Sequence, residues 1–363
     1  MNHLVPITGF SSGSGLGAGA SRRGRAVDRF VTREAAPHAA DRILLLTGAT
    51  GFVGRAVWPA LVAAGWHVRG LTRDAARAAA RDPDLDWVQG DVGDHDAMAR
   101  VLEGVDATLY LVHGIREGVG YLEREGEAAA GFAAAAAAAG VERIVYLGGV
   151  APTGEGSEHL RSRLAVGEAL RAGTVPTVEL RASMIVGYGS LSWLIVRDLA
   201  ARLPVMVLPR WLRSRTQPIG VEDAVVALVG ALDLPIEANA WFDVPGPETL
   251  SGKEILDRTA VLLGLREPLS VDVPFLSPRL SSLWIRLVTR ADWSVAREIV
   301  IGLTEDLLAH DDDYWSRIDH PQLVTFDQAA RRALAAERGT LPTRGPWALV
   351  ERARGVRPGD DDG

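Results

Sequence analysis

A doubly wound parallel α/β sheet with a smaller, mostly helical lid is the architecture this sequence predicts, and three observations predict it. Short apolar runs recur without polar alternation, the pattern of strands buried on both faces. Helical segments separate them at spacings of roughly 20–40 residues, as in βαβ crossovers. A glycine-rich turn joins the first run to the first helix.

Residues 1–40, rich in Gly, Ser, Ala and Arg and lacking a period, read as a flexible extension. Within them Thr8-Gly-Phe-Ser-Ser-Gly-Ser-Gly15 spells a phosphate-binding turn, but no strand precedes it and no amphipathic helix follows. Arg42–Thr47 is the first strand. A helix then runs to about Ala64, with Gly65 as its stop, and Pro59 inside it should bend it or cost a hydrogen bond. His67–Thr72, Asp86–Gln89 and Ala107–His113 are the second, third and fourth strands. An alanine-rich helix, about Leu122–Ala139, leads to Arg143–Leu147, and a helix around Arg161–Arg171 leads to Thr177–Arg181. Residues 41–190 thus make the doubly wound domain. The alternation is lost after Gly187, so 191–351 build the lid, with 217–245 returning to the core through a helix at Val221–Leu232 and a strand at Phe242–Val244. Ser251-Gly-Lys-Glu254 is a capping box, Pro274–Leu308 reads as helical, and 352–363 reads as a charged, disordered tail.

Composition narrows the function. The 363 residues are 47% hydrophobic and 23% charged, with a net charge of −7, an ordinary globular balance that argues against nucleic acid as the main partner. With no cysteine there is no disulfide, thiolate metal site or thiol nucleophile. No metal-ligand spacing such as HExxH stands in a convincing setting, so no metal is expected. Lys253 is the single lysine among 39 basic residues, a bias that makes any Lys-to-Arg exchange easy. No run reaches the roughly 18–20 apolar residues of a membrane span, and Met1–Asp41 does not read as a signal peptide. The expectation is a cytoplasmic monomer or homodimer acting on a small molecule or a regulatory protein partner.

Chemistry enters at Thr47-Gly-Ala-Thr-Gly-Phe-Val-Gly54. Between a buried strand and a helix, such a turn lets Gly48 make the sharp exit, Gly51 admit a pyrophosphate and Gly54 pack helix on strand. The amides of Thr50 to Gly54, including Phe52 and Val53, then face the phosphates at the positive end of the helix dipole. A dinucleotide is therefore expected. After the second strand, Arg73 stands beside Thr72, which is near the slot where an acid would accept from the ribose of NAD. It can fork onto a 2′-phosphate or pair with Asp74 at the surface, so NADP(H) is preferred and NAD(H) remains compatible. Asp91 and Val92 follow the third strand at the level of the adenine, Asp91 with helix capping as its other role. Val112 and His113 end the fourth strand at the carboxyl edge, where such sheets place their ligands.

Together with Gln89-Gly-Asp-Val92, Arg143-Ile-Val-Tyr-Leu-Gly-Gly149 and Val178-Glu-Leu-Arg-Ala-Ser-Met-Ile-Val-Gly187, these motifs resemble the extended and atypical short-chain dehydrogenase/reductase superfamily. Arg202–Trp211 and Pro278–Trp284 are similar to its NmrA-like subgroup, which is related to the dehydrogenase-like accessory subunit of respiratory complex I. The resemblance implies a Tyr-x-x-x-Lys pair and a Ser or Thr in the active site. Here His159 stands in the tyrosine slot, Arg163 in the lysine slot, and Gly148-Gly149 in the serine slot. His159 could exchange a proton, Arg163 could hold the nicotinamide ribose, His113 could face the nicotinamide, and Arg181, with Ser183 and Met184, would form its wall. Tyr188 is the nearest loop tyrosine that could replace the missing acid. Two readings follow. One is an oxidoreductase with a non-standard active site, acting on a small apolar carbonyl-type substrate. The other is a non-catalytic NADPH-binding redox sensor or assembly factor.

Overall fold

The computed structural model describes residues 42–112, 121–154, 156–203, 205–208, 210–236, 238–272, 288–290, 305–337 and 346–356, within the compact unit His38–Gly363. The turn at Thr8–Gly15, His113 and most of Pro274–Leu308 lie outside them. The first half alternates β1 (Ile43–Leu46), α1 (Phe52–Ala63), β2 (His67–Thr72), α2 (Ala75–Arg81), β3 (Asp86–Gln89), α3 (His95–Val101), β4 (Ala107–Tyr110), α4 (Tyr121–Ala139), β5 (Arg143–Gly149), α5 (Glu158–Arg171) and β6 (Thr177–Ala182). There follow β7 (Ile185–Val186), α6 (Leu191–Arg202), β8 (Val205–Leu208), a 3₁₀ turn (Arg210–Arg213), β9 (Arg215–Thr216), β10 (Ile219–Gly220), α7 (Val221–Asp233) and β11 (Ala240–Asp243). The chain continues with β12 (Leu250–Ser251), α8 (Gly252–Leu262), β13 (Leu269–Asp272), α9 (Asp313–Arg317), α10 (Phe326–Glu337) and α11 (Pro346–Ala353).

Seven strands form one parallel sheet in the order β11-β6-β5-β4-β1-β2-β3. The order reverses between β1 and β4, which opens a crevice at the carboxyl ends of those strands. The leucines of β1 show why the run lacks alternation. Leu44 and Leu46 pack with Val57 and Leu61 of α1 on one face, while Leu45 packs with Met98 and Phe132 on the other, and all are fully buried. α1 passes through Pro59 without a break; burial of Val57 and Leu61 on either side of it holds the helix on the sheet. α7 packs with α1 on one face of the sheet, and β11 extends the sheet beside β6.

The lid has its own apolar core, in which Trp193 and Ile195 of α6, Ile255 and Leu256 of α8, and Phe326 and Ala330 of α10 meet. The Ser251–Glu254 capping box opens α8, as its sequence predicts. Buried charge fastens the end of the chain to this core. Arg197, fully buried in α6, takes both oxygens of Glu351 in α11 at 2.8 and 2.9 Å, and Arg202 adds a further bond to Glu351. α11 therefore carries regular structure through Ala353 and into the charged terminal stretch.

A second buried charge sits between the sheet and α5. Glu179 of β6 is fully buried and bonded to Arg171 at 2.8 Å and to Arg181 at 2.9 Å. Glycines make room for it: a Cβ on Gly167 would lie 2.5 Å from its carboxylate carbon, and one on Gly148 2.9 Å from Oε1. Gly167→Ala is expected to destabilise the chain by about 1–3 kcal/mol, the usual cost of overpacking a rigid site. A urea midpoint equal to that of the parent would show that Glu179 can move aside.

Candidate functional site

The crevice at the β1–β4 switch is built by the glycine turn. Gly48 adopts φ +63°, open to glycine at little cost, and a Cβ there would lie 2.8 Å from the Leu111 carbonyl oxygen. The Gly51 amide donates to the Gly48 carbonyl at 2.9 Å, closing the turn. A Cβ on Gly54 would overlap the Gly48 carbonyl and stand 2.8 Å from the Ala49 Cα, so α1 lies directly on the turn. Buried Thr47 fixes this assembly to the neighbouring strand: its amide donates to the Leu109 carbonyl, and its Oγ1 accepts from the Leu111 amide at 2.9 Å. Sequence reasoning placed Thr47 in the motif without recognising this bond.

The first turn of α1 receives no side-chain cap from Gly51, so the amides of Phe52, Val53 and Gly54 have no intrahelical acceptor. Thr50 and Gly51 are exposed at the rim. Open donors at a positive helix end, above a backbone surface that a Cβ would fill, fit a dinucleotide pyrophosphate. Arg73 is exposed just beyond β2, and the neighbouring Asp74 caps α2 by accepting from the Arg77 amide. Asp91 accepts from the Gly93 amide in a tight turn; the cap of α3 is Asp94, not Asp91. The Val92 side chain joins the core beside α3, and Val112 is half-buried at the edge of the same cluster.

On the other side of the crevice, β5 and α5 hold the altered catalytic slots. His159 is half-buried in the first turn of α5, whose cap is Ser157. One turn on, Arg163 donates from Nη2 to the Leu147 carbonyl, and its own carbonyl accepts from the Tyr146 hydroxyl at 2.9 Å. The Arg163 stem lies across Gly149, where a Cβ would be 3.3 Å from both Cδ and Nε. The missing hydroxyl at 149 and the arginine at 163 are thus one packing arrangement. Among the described residues, the buried Arg163 Nε has no hydrogen-bond partner.

Arg181, expected in the nicotinamide wall, instead turns its guanidinium to Glu179 and over the Trp241 ring, 4.2 Å from its centroid. Ser183 donates to the Gln217 carbonyl, and Met184 is buried in the lid core. Two tyrosines lie near the slots, yet burial drives the hydroxyl pKa of both Tyr110 and Tyr146 well above the ordinary tyrosine value, so neither supplies a proton readily. Tyr188, half-exposed, lines a cavity with Phe52 and Arg55 instead. Glu305, unforeseen from sequence, reaches from the lid to accept from the Gly154 amide at 2.7 Å and the Gly156 amide at 3.3 Å, in the loop between β5 and α5. Lys253 pairs with Asp257 along α8. In the basic segment before β10, Arg215 pairs with Asp306 at 2.7 Å. Among the described residues, no group of three His, Asp or Glu side chains could hold a metal, and no helix is long and apolar enough to cross a membrane.

If the turn is the dinucleotide cradle, Gly54→Ala should cut NADPH affinity at least tenfold, because the clash with rigid backbone shifts the amides that face the phosphates. Titration calorimetry on folded protein checks this, and unchanged affinity would place the dinucleotide elsewhere.

Comparison with known proteins supports this geometry. Residues 48–200 match a family described as NAD(P)H-binding. Over 200 residues the chain is 34% identical to the ceramide reductase of Caulobacter vibrioides, an alignment covering 53% of this chain and 62% of that protein's length. It is 33% identical over 243 residues to the (4-alkanoyl-5-oxo-2,5-dihydrofuran-3-yl)methyl phosphate reductase of Streptomyces griseus subsp. griseus, covering 63% of this chain and 78% of the relative. The fold is shared with the Citrobacter sp. triphenylmethane reductase complexed with NADP(H), at a TM-score of 0.62 and 17% identity over 80% of this chain and 99% of that one. The chain belongs to an NAD(P)H-binding family that it shares with the Streptomyces reductase.

Proposed function

We propose that this chain is an NADPH-dependent reductase of a small apolar carbonyl or enone substrate. The observation that carries the reading is the uncapped, glycine-backed start of α1 at the switch point of the sheet. Both curated relatives are named reductases, and one acts on an alkanoyl-bearing compound. The bound nicotinamide would supply a hydride to the substrate carbon. Gly48 to Gly54 hold the phosphates, and Arg73 selects the 2′-phosphate by a charge-assisted fork. His159, half-buried in the first turn of α5, donates the proton that the substrate oxygen takes up. Arg163 holds the nicotinamide ribose, its unpartnered Nε being a donor in want of an acceptor.

A specific observation favours a second reading. With glycine in the serine slot and Arg163 bonded to Leu147, the chain could bind NADPH without turning it over, as a sensor whose lid responds to occupancy.

Arg73→Ala is expected to weaken NADPH binding by roughly 1.5–3 kcal/mol, tenfold or more, while leaving NADH binding nearly unchanged. Equal losses for both cofactors would remove Arg73 from the selector role. In a panel of aliphatic ketones and enones, His159→Phe should lower kcat by about 10²–10⁴-fold with little change in NADPH affinity. Full turnover by that variant would dismiss the histidine, and a parent protein that binds NADPH but reduces none of the panel would favour the sensor.

A further inference from the structure

A cavity of about 640 Å³ lies behind the phosphate turn, on the face of the sheet shared by α1 and α7. Its size falls in the range of small-molecule sites. Of the residues given to the cofactor cradle only Phe52 reaches it, and none of Gly149, His159 and Arg163 does. It is therefore distinct from the crevice in which the chemistry is placed.

Its walls differ in character. Leu191 and Leu194 of α6, Val221 of α7 and Ala333 of α10 present an apolar surface. The lining also includes four arginines from four segments, with Glu222 and Glu337. Three of these arginines are paired: Arg290 with Asp198 at 2.8 Å, Arg332 with Glu222 at 3.5 Å and Arg81 with Asp82 at 3.8 Å. Glu337 is turned to Arg197 at 3.2 Å. Arg55 differs. Among the described residues no carboxylate lies within ion-pair distance of it, and its guanidinium donates once, to the Thr50 carbonyl at 3.0 Å. Burial, and then the like charge of Arg81, disfavour its charged form, so an arriving anion would relieve an existing electrostatic cost.

A guanidinium with no carboxylate at ion-pair distance among the described residues, in a cavity also lined by apolar side chains, complements a molecule with one anionic head and an apolar body. We propose that this cavity is a second ligand site, for a small anionic amphiphile whose phosphate monoester or carboxylate is taken by Arg55 and whose apolar body lies along Leu191, Leu194 and Ala333. The guanidinium accepts either head group as a fork, and the apolar wall explains why a free inorganic anion would be a poor ligand.

Octyl phosphate is the probe, titrated calorimetrically into the full chain with and without saturating NADPH. One saturable site is expected in both conditions, with inorganic phosphate and octan-1-ol at least tenfold weaker. Arg55→Gln should weaken octyl phosphate at least tenfold, and Leu194→Trp, which fills the cavity from a half-exposed position, should abolish its binding. Three results would overturn the proposal. Displacement of the probe by NADPH would put the anion in the cofactor groove. Equal binding of octan-1-ol would mean an apolar groove without anion recognition. Unchanged affinity in both variants, at parental melting temperatures, would move the probe elsewhere. Should either variant fail to fold, the NADPH and octan-1-ol titrations on the parent decide alone.

Discussion

The absence of space between Gly48 and Gly54 is the constraint on which the rest of this structure depends. The Gly48 carbonyl occupies the position that a side chain on Gly54 would need, and Gly48 itself presses on the Leu111 carbonyl. That closeness starts α1 directly above β1 and leaves its first amides facing the crevice. Thr47 then ties the turn to β4, whose amide at Leu111 bonds the Thr47 hydroxyl. The two sides of the switch point are held together before any ligand arrives, and a rigid cradle loses little entropy when a phosphate is bound.

Buried charge does comparable work where the apolar cores end. Glu179, inside the sheet, is bonded by two arginines, and a Cβ on Gly148 or Gly167 would crowd it. Arg197 and Glu351 repeat the arrangement between α6 and α11. Burial raises the Glu351 carboxyl, but hydrogen bonds from Arg197 and Arg202 overcome it and hold the group below its ordinary value. Such pairs specify which element docks where, because breaking one leaves a charge stranded out of water. In the crevice, Glu305 latches the lid onto the β5–α5 loop by bonds to backbone amides, and so helps to set the shape of the wall near His159.

The altered catalytic slots are physically linked. An arginine in place of the superfamily's lysine looks at first like a product of the chain's basic-residue bias, since 38 of the 39 basic residues are arginine. Its longer side chain crosses Gly149, and a hydroxyl-bearing residue there would crowd it. Changing one slot thus fits with changing the other. Tyr146 and Tyr110 cannot fill the gap, because they are core residues whose burial holds their protons firmly.

The strands β2 and β3 and the capping box of α8 were legible to the residue, because hydrophobic runs and caps are encoded by neighbours in the chain. The phosphate turn was legible for the same reason: its glycines answer to crowding among residues close in sequence. The roles of Arg181, Tyr188, Asp91 and Glu305 were not. Arg181 reads as a pocket residue until Glu179 and Trp241 are seen to claim it, and Glu305 meets Gly154 across 151 positions of chain. The sequence by itself determined the parallel sheet, the glycine turn and an NAD(P)H-binding family. Tertiary structure alone decided which charges are paired, which glycine makes room for which side chain, and that Arg55 lines a cavity with no carboxylate at ion-pair distance among the described residues. Pairing and burial depend on residues distant in sequence, and only the folded chain brings them within reach of one another.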